Sequence, residues 1–580
     1  MKKTLLFLST LACYFITETI FAQAPNCLWT RSAGGSSNEY TTCMTTDAFG
    51  NIYVAGRSGS DSIIFGPITL YNLGENFLVK YDGNGNALWA KKMGGSIYSI
   101  AVDALSNVYS TGAFRGTVDF DPGSGTYSLS TNFPNDPDVF ISKMDAFGNF
   151  IWAKQFVGGG LVDAAYSIAI DAHSNVYTTG FFDGAADFDP GSGTFTMSCY
   201  GGNPGASTGG NCFLSKLDSS GNFAWAKQLG GNEYTFGNSL AVDWKNSLYI
   251  TGSFQGTGDF YPGAGTVNLV CIGLNNAFIS KFDSSGNFVF VKQFKGAFSG
   301  ADADGYSITV DTSGNIYTMG GFQGMVDLDP SLSNNYNMTS SLGGSNFDSY
   351  ICKLNASGNF LWAKQLPINP IAEGQSLALD AAGNVYAASS FYSTVDFDPG
   401  TGISNLTANG NDGCIYMLDG SGNFVWAKQI GGSLDEALSS VAIDKNGNVY
   451  MTGYFQDSTI MCDNDTLTNT TAASNDLFIA KLYSTTVGIN EIPENGNAFN
   501  VYPNPSYSLA TIYFSLSGTE NVSIRIFDIA GRLVKVLSEK SLEKGSHQIE
   551  WNVKETNAGI YFLKLETGTI SETKILSVVK

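Results

Sequence analysis

Histidine is almost missing from this 580-residue chain, with two in all. A His-based metal centre or a Ser-His-Asp or Cys-His triad would have to be built on His173 alone, because His547 lies in a separate C-terminal segment. No nucleophile motif stands near His173. Charge is also scarce, at 14% of residues, while Phe, Tyr and Trp make up 13%. Chains that stay disordered show the reverse balance, so an ordered fold is expected. Nine cysteines are scattered without a C-x-x-C pair, which argues against a zinc or dithiol redox site. After Leu5–Ile16 no long apolar run follows that could span a bilayer.

Positive charge is the scarcest of all. The chain carries a net charge of −21, and residues 25–498 hold 19 basic against 42 acidic residues, a net of −23. Such a body repels phosphate backbones, so nucleic acid is excluded as a partner, while cations and cationic partners are not. At the N-terminus, Lys2 and Lys3, the apolar run and the small residues Ala22 and Ala24 predict a secretory signal over residues 1–24. Export permits disulfides, and Cys199 with Cys212 is the one local pair placed to close a loop. The remaining cysteines read as small buried apolar residues.

What the chain has in abundance is repetition. The segment around Trp89 (Ala87-Leu88-Trp89-Ala90-Lys91-Lys92) returns at Trp152, Trp225, Phe290, Trp362 and Trp426, and a shortened form at Trp29 opens the mature chain. These seven copies are spaced 60 to 73 residues apart. Two further elements recur with them, one beginning at Ser99 and one at Phe140. Each alternates β-branched or aromatic residues over strand length. The turns between them read Asp-x-x-Gly-Asn, as in Asp311–Asn315 and Asp218–Asn222. In such turns Asp bonds its own backbone, while Gly or Asn accepts positive φ.

The unit is therefore a four-stranded antiparallel sheet. The mature chain starts with a fourth strand and the array ends, near Leu482, with a third. That order predicts an all-β, seven-bladed β-propeller over residues 25–485, its ring closed by the N-terminal strand. The recurring Trp suits packing between neighbouring sheets with its N–H on a backbone carbonyl.

These strings, Asp-x-x-Gly-Asn-x-Tyr and Gly-Asn-Phe-x-Trp-Ala-Lys-Gln, resemble the bacterial SBBP β-propeller repeat, which implies the fold and no agreed activity. The first hairpin is also similar to the NHL repeat. The docking motif of pyrroloquinoline-quinone propellers is one residue longer than the Asp218-to-Trp225 string, so that cofactor is not carried over.

A polar linker spans 486–497, and residues 498–580 read as a small C-terminal β-sandwich. Tyr502-Pro503-Asn504-Pro505, the Asp528-x-x-Gly531-Arg532 turn and Gly559-Ile560-Tyr561 with a lysine-ended tail closely resemble the type A C-terminal sorting domain of type IX secretion substrates in Bacteroidetes. The resemblance implies the type IX secretion machinery as a partner and an extracellular or outer-surface address.

Three loops carry the string Asp-Phe-Asp-Pro-Gly, placing Asp119 and Asp121, Asp187 and Asp189, and Asp396 and Asp398 as candidate calcium ligands. The competing reading is a β-turn whose aspartates accept backbone hydrogen bonds. Asp82-Gly-Asn84-Gly-Asn86 opens like an EF-hand loop but has Met93 where the bidentate Glu belongs. The sialidase Asp-box spacing is not met either. The expected function is non-catalytic binding of a glycan, protein or envelope partner. The alternatives are a carbohydrate-active enzyme using loop carboxylates, or a purely structural envelope protein.

Overall fold

The computed structural model describes residues 24–483 and 499–578, apart from 72–75, 161, 200–208, 332, 342–346, 369–375, 464, 472–473, 503–508, 517, 530, 555 and 569–570. The expected signal peptide up to residue 23, the linker at 486–497 and the Pro503-Asn504-Pro505 string lie outside the described residues. Among the described residues every regular element is a β-strand. The chain divides into two compact units, Met1–Thr485 and Thr486–Lys580.

In the first unit, Glu39–Thr46, Ile52–Ser58, Asn76–Tyr81 and Ala87–Met93 pair antiparallel in chain order. The same order of four recurs over 96–158, 164–231, 235–296, 302–366 and 376–430. Glu436–Ile443, Val449–Phe455 and Asp476–Leu482 take Cys27–Ala33 as their fourth neighbour, with Thr30 opposite Ala480. The first strands of successive sheets touch one another, and Glu39–Thr46 also touches Glu436–Ile443.

Burial follows from this stacking. The two middle strands Val108–Phe114 and Asp138–Met144 are buried at every residue, because a sheet covered on both faces has no wet side. Each core lies between adjacent sheets: Tyr53 and Leu78 of one pack with Ile100, Val108 and Phe140 of the next.

A bulge in the first strand explains two recurring letters of the repeat. The extra residue is Thr42, Tyr98, Tyr166, Asn238, Tyr306 or Ser439. It tucks a carbonyl over the second strand, where only glycine leaves room: a methyl at Gly112 would sit 1.8 Å from the Ser96 oxygen. The serine after the bulge accepts an N–H from the next sheet. Ser99 takes that of Ile168 (3.3 Å), Ser167 that of Leu240 (3.0 Å) and Ser239 that of Ile308 (3.2 Å).

Between its second and third strands each sheet inserts a further hairpin, such as Thr117–Asp119 with Ser128–Ser130. Three of these reach back to the preceding sheet: Asp187 pairs with Val157, Asp259 with Gly230 and Asp327 with Lys295.

The one local candidate pair, Cys199 and Cys212, is not bridged, and both are buried free thiols. They belong to different cores, Cys199 with Phe156 and Phe188, Cys212 with Leu229 and Leu240. The disulfide joins Cys27 to Cys462 instead, 435 residues apart.

In the C-terminal unit, a three-stranded sheet (Phe499–Tyr502, Leu509–Leu516, Gly545–Asn552) and a four-stranded one (Leu533–Leu542, Glu520–Asp528, Gly559–Glu566, Ser571–Val578) share a core of Phe514, Ile524, Trp551 and Leu563. Its turn at Asp528 follows the repeat's turn with Arg in place of Asn, since Oδ1 accepts Arg532 N–H (3.0 Å) and Oδ2 accepts Arg532 Nε (2.7 Å).

Candidate functional site

The repeated aspartates are committed to structure. Asp47 Oδ1 accepts the N–H groups of Phe49 (2.8 Å) and Asn51 (2.9 Å), while Oδ2 accepts Asn51 Nδ2 (2.7 Å) and the Tyr53 hydroxyl (3.1 Å). Ser106 of the next sheet adds a fifth bond at 2.8 Å. These donors outweigh burial and hold the Asp47 carboxyl below its usual range. Asp103 and Asp171 repeat the pattern, and His173 contributes its backbone N–H to Asp171 (2.9 Å).

The tyrosine of that turn carries a lysine on its face and a tryptophan at its side. Lys80 sits 4.9 Å from the Tyr53 ring centre, and the Trp89 ring is 6.1 Å away. Lys80 Nζ (3.2 Å) and Trp89 Nε1 (3.1 Å) both donate to the Ala146 carbonyl in the next sheet's turn. The indole role expected from the sequence is thus present here and at Trp29 and Trp362, which donate to Gly83 (3.2 Å) and Gly420 (3.3 Å). Among the described residues, Trp152 and Trp426 leave their Nε1 atoms without a partner.

These turns occupy one end of the sheets. The second-to-third and fourth-to-first connections occupy the other, where a groove of about 870 Å³ opens. Its inner wall carries Tyr98 and Tyr166, rings 5.9 Å apart and tilted by 45°. Tyr98 is the bulge residue of its strand and is 41% exposed. Burial pushes the Tyr166 hydroxyl up to about 12, with Tyr98 adding to it. Lys92 and Arg115, both exposed, and the hairpin residues Asp119, Asp121 and Pro122 complete the outer part.

Two of the six candidate calcium ligands therefore line this groove, though as turn formers. Asp119 Oδ1 accepts Asp121 N–H (3.0 Å) and Tyr127 N–H (2.8 Å), and Asp121 Oδ1 accepts Gly123 N–H (2.8 Å). Asp187 and Asp189, and Asp396 and Asp398, make equivalent bonds in their own hairpins. The phenylalanine between each pair is buried: Phe120 packs against Phe114 (5.2 Å) and Phe140 (5.0 Å). Among the described residues, none of the six belongs to a group of three ligand atoms within 4.8 Å. The one such group, Cys27, Cys462 and Asp463, includes the disulfide.

Other carboxylates, unmarked by any motif, are buried beside the same end. Asp138 Oδ1 accepts Gly158 N–H (3.1 Å) and Oδ2 accepts Gln155 Nε2 (2.5 Å). Asp163 is fully buried near Asp138 and Asp183, and desolvation pushes it well above the usual carboxylate range. Burial raises Glu436 to about 7 and Asp304 to about 6. The groove tyrosines and Arg115 were missed in the sequence, although Tyr98 and Tyr166 stand at the one position before the repeated serine that varies from copy to copy.

Comparison with known proteins bears on both units. Residues 224–256 and 425–454 match the β-propeller repeat model SBBP, and residues 500–579 match the secretion system C-terminal sorting domain. The chain ends in a type IX sorting domain. That domain implies interaction with the type IX secretion machinery, and it indicates export to the cell surface or extracellular space. Among the described residues no helix is long and apolar enough to cross a membrane.

An uncharacterized WD repeat-containing protein of Acanthamoeba polyphaga mimivirus is 24% identical, over 75% of this chain and 36% of its own length. The chain thus spans about a third of that relative. Among solved structures, a protein of unknown function from Bacteroides caccae matches at 10% identity and TM-score 0.28, covering 70% of this chain and 98% of that one. PorZ, a surface component of the type IX secretion system of Porphyromonas gingivalis, matches at 12% identity and TM-score 0.17, covering 95% and 100%.

Proposed function

We propose that this chain is a surface-exported, non-catalytic, seven-bladed propeller that binds a glycan through the end carrying its second-to-third and fourth-to-first connections. The carrying observation is the groove there, in which the exposed ring of Tyr98, set outward at a bulge, lies beside the half-buried ring of Tyr166. Tilted aromatic faces offer a platform for sugar C–H bonds, and pockets of about 300–1,000 Å³ are typical of small-molecule sites. Closure of the ring by the N-terminal strand is supported by the pairing of Cys27–Ala33 with Asp476–Leu482. It is supported also by Thr46 Oγ1, which donates to the Ile443 carbonyl at 3.2 Å.

A non-enzymatic role is favoured because the repeated acids are consumed by turns and seams. The test is to probe immobilised polysaccharides and glycoproteins with the exported protein, scoring both retention and cleavage. Retention without product release is expected. Product release overturns the non-catalytic reading, and retention by proteins alone overturns the glycan reading.

A further inference from the structure

We propose that the seam between the second and third sheets holds a calcium ion, clamped by Asp138 and Asp163. Both positions recur from sheet to sheet. Asp138 opens a third strand, and Asp163 stands four residues before the repeated serine, Ser167, of the next sheet. Where the third strand opens with Asn76, Asn211 or Asn276, the next sheet offers the uncharged Gly95, Thr235 or Ala303. Where it opens with Asp138, Asp412 or Asp476, the next sheet offers Asp163, Glu436 or Glu39. The counterpart of Asp348 falls within 369–375, outside the described residues. Acid is thus matched with acid, and burying like charges together is costly unless a cation or a proton lies between them.

Both oxygens of each glutamate find donors, whereas one oxygen of Asp163 does not. Glu39 Oε2 accepts Gly35 N–H (3.0 Å), and its Oε1 accepts the hydroxyls of Ser58 (2.8 Å) and Ser60 (2.6 Å). Glu436 Oε2 accepts Gly432 N–H (2.8 Å), and its Oε1 accepts Asp457 N–H (3.3 Å). Asp163 is one methylene shorter. Its Oδ1 accepts Asp183 N–H (3.0 Å), but Oδ2, in a residue 2% exposed, has no partner among the described residues. That oxygen is aimed toward Asp138. A Cβ added to Gly158 would lie 1.6 Å from Asp163 Oδ2 and 3.3 Å from Asp138 Oδ1, so both oxygens close on the space the glycine leaves. Among the described residues neither acid forms a salt bridge, and Asp183 and Asp136 add further negative charge.

Calcium takes about six to eight hard oxygens in a flexible shell, backbone carbonyls and water among them. Each oxygen of Asp138 accepts one hydrogen bond and keeps lone pairs for an ion. Among the described residues these acids form no group of three ligand atoms within 4.8 Å. Asp138 and Asp163 therefore bind directly, carbonyls and water fill the shell, and Asp183 acts from outside it. The ion would stand behind the groove wall, since Pro137, Val162 and Ala164, chain neighbours of the two acids, line the groove.

The test is equilibrium dialysis of the full-length protein against radioactive calcium chloride at neutral pH, with Asp163→Asn and Asp138→Asn beside the wild type. Asparagine at 138 copies what Asn76, Asn211 and Asn276 already do at that position, so this variant keeps the fold. The wild type should bind one equivalent more than either variant. Millimolar calcium should raise its melting temperature by about 2 °C or more and leave both variants unmoved. Equal calcium binding in all three proteins overturns the proposal. A wild type that calcium does not stabilise, beside variants that melt higher than it does, would identify a shared proton as the occupant and overturn it as well.

Discussion

The indole Nε1 of Trp29 donates to the carbonyl of Gly83 at 3.2 Å, although Trp29 stands in the sheet with Asp476–Leu482 and Gly83 in the sheet that begins at Glu39. Lys481 donates to the same oxygen at 3.3 Å. One backbone carbonyl thus receives a proton donor from each end of the repeat array. Trp29→Ala should lower stability by about 3–5 kcal/mol, the ordinary loss for a buried tryptophan. Denaturant unfolding checks this, and a change under about 1 kcal/mol would mean that this seam is not formed.

Among the described residues, the equivalent seam on the other side of that sheet has no such acceptor: Trp426 is 2% exposed and its Nε1 has no partner there, and Met417 stands where other copies place the lysine. The missing piece is a third-to-fourth turn: Asp476–Leu482 is paired by Cys27–Ala33, which arrives from the other end of the chain. Met417→Lys should therefore bury an ammonium with no acceptor and cost several kcal/mol, on the order of 3–5. Lys353→Met, which removes a charge at an ordinary seam, should cost less. The order of the two melting temperatures decides.

Gly112 faces the Ser96 carbonyl, and an added methyl would lie 1.8 Å from it. Gly112→Ala should destabilise by more than about 2 kcal/mol, because backbone, not a flexible side chain, must move. Gly123→Ala, in an exposed hairpin, is the control and should have little effect on the unfolding midpoint.

Acidity should act in two opposite directions. Glu436, raised to about 7, and Asp304, raised to about 6, bind protons more tightly folded than unfolded. Their contribution is present at low pH and is lost as pH rises from the unfolded value through about 7. Asp47, Asp103 and Asp171 are lowered, so their contribution is present above the unfolded value and is lost as pH falls below it. Stability should therefore peak near the unfolded carboxylate values, at about pH 4, and fall on both sides. Melting temperatures across pH 3–9 check this; Glu436→Gln should flatten the alkaline limb.

Most of the architecture was legible because repetition multiplies a weak signal. One Asp-x-x-Gly-Asn turn is common, but the same turn at Asp145, Asp218 and Asp419, each followed by its strand, fixes register. The serine and glycine letters were visible without their reason, since a bulge changes spacing by one residue and leaves no mark in one copy. The disulfide was not legible because Cys27 and Cys462 meet only once the chain ends are side by side, whereas the local candidates Cys199 and Cys212 are close in number yet face different cores. The groove was illegible for a related reason: Tyr98 and Tyr166 share a repeat position whose residue varies between copies, and they meet Arg115 only across a seam.

The pairing of the two chain ends is tested most directly by disulfide mapping of the exported protein. The free thiols are blocked in denaturant without reductant, and the chain is then digested and sequenced by mass spectrometry. The expected result is one cross-linked peptide pair joining Cys27 to Cys462, with Cys43, Cys199, Cys212, Cys271, Cys352 and Cys414 all blocked. A blocked Cys27, or a bridge from Cys27 to any other cysteine, would contradict the placement of the N-terminal strand beside Asp476–Leu482.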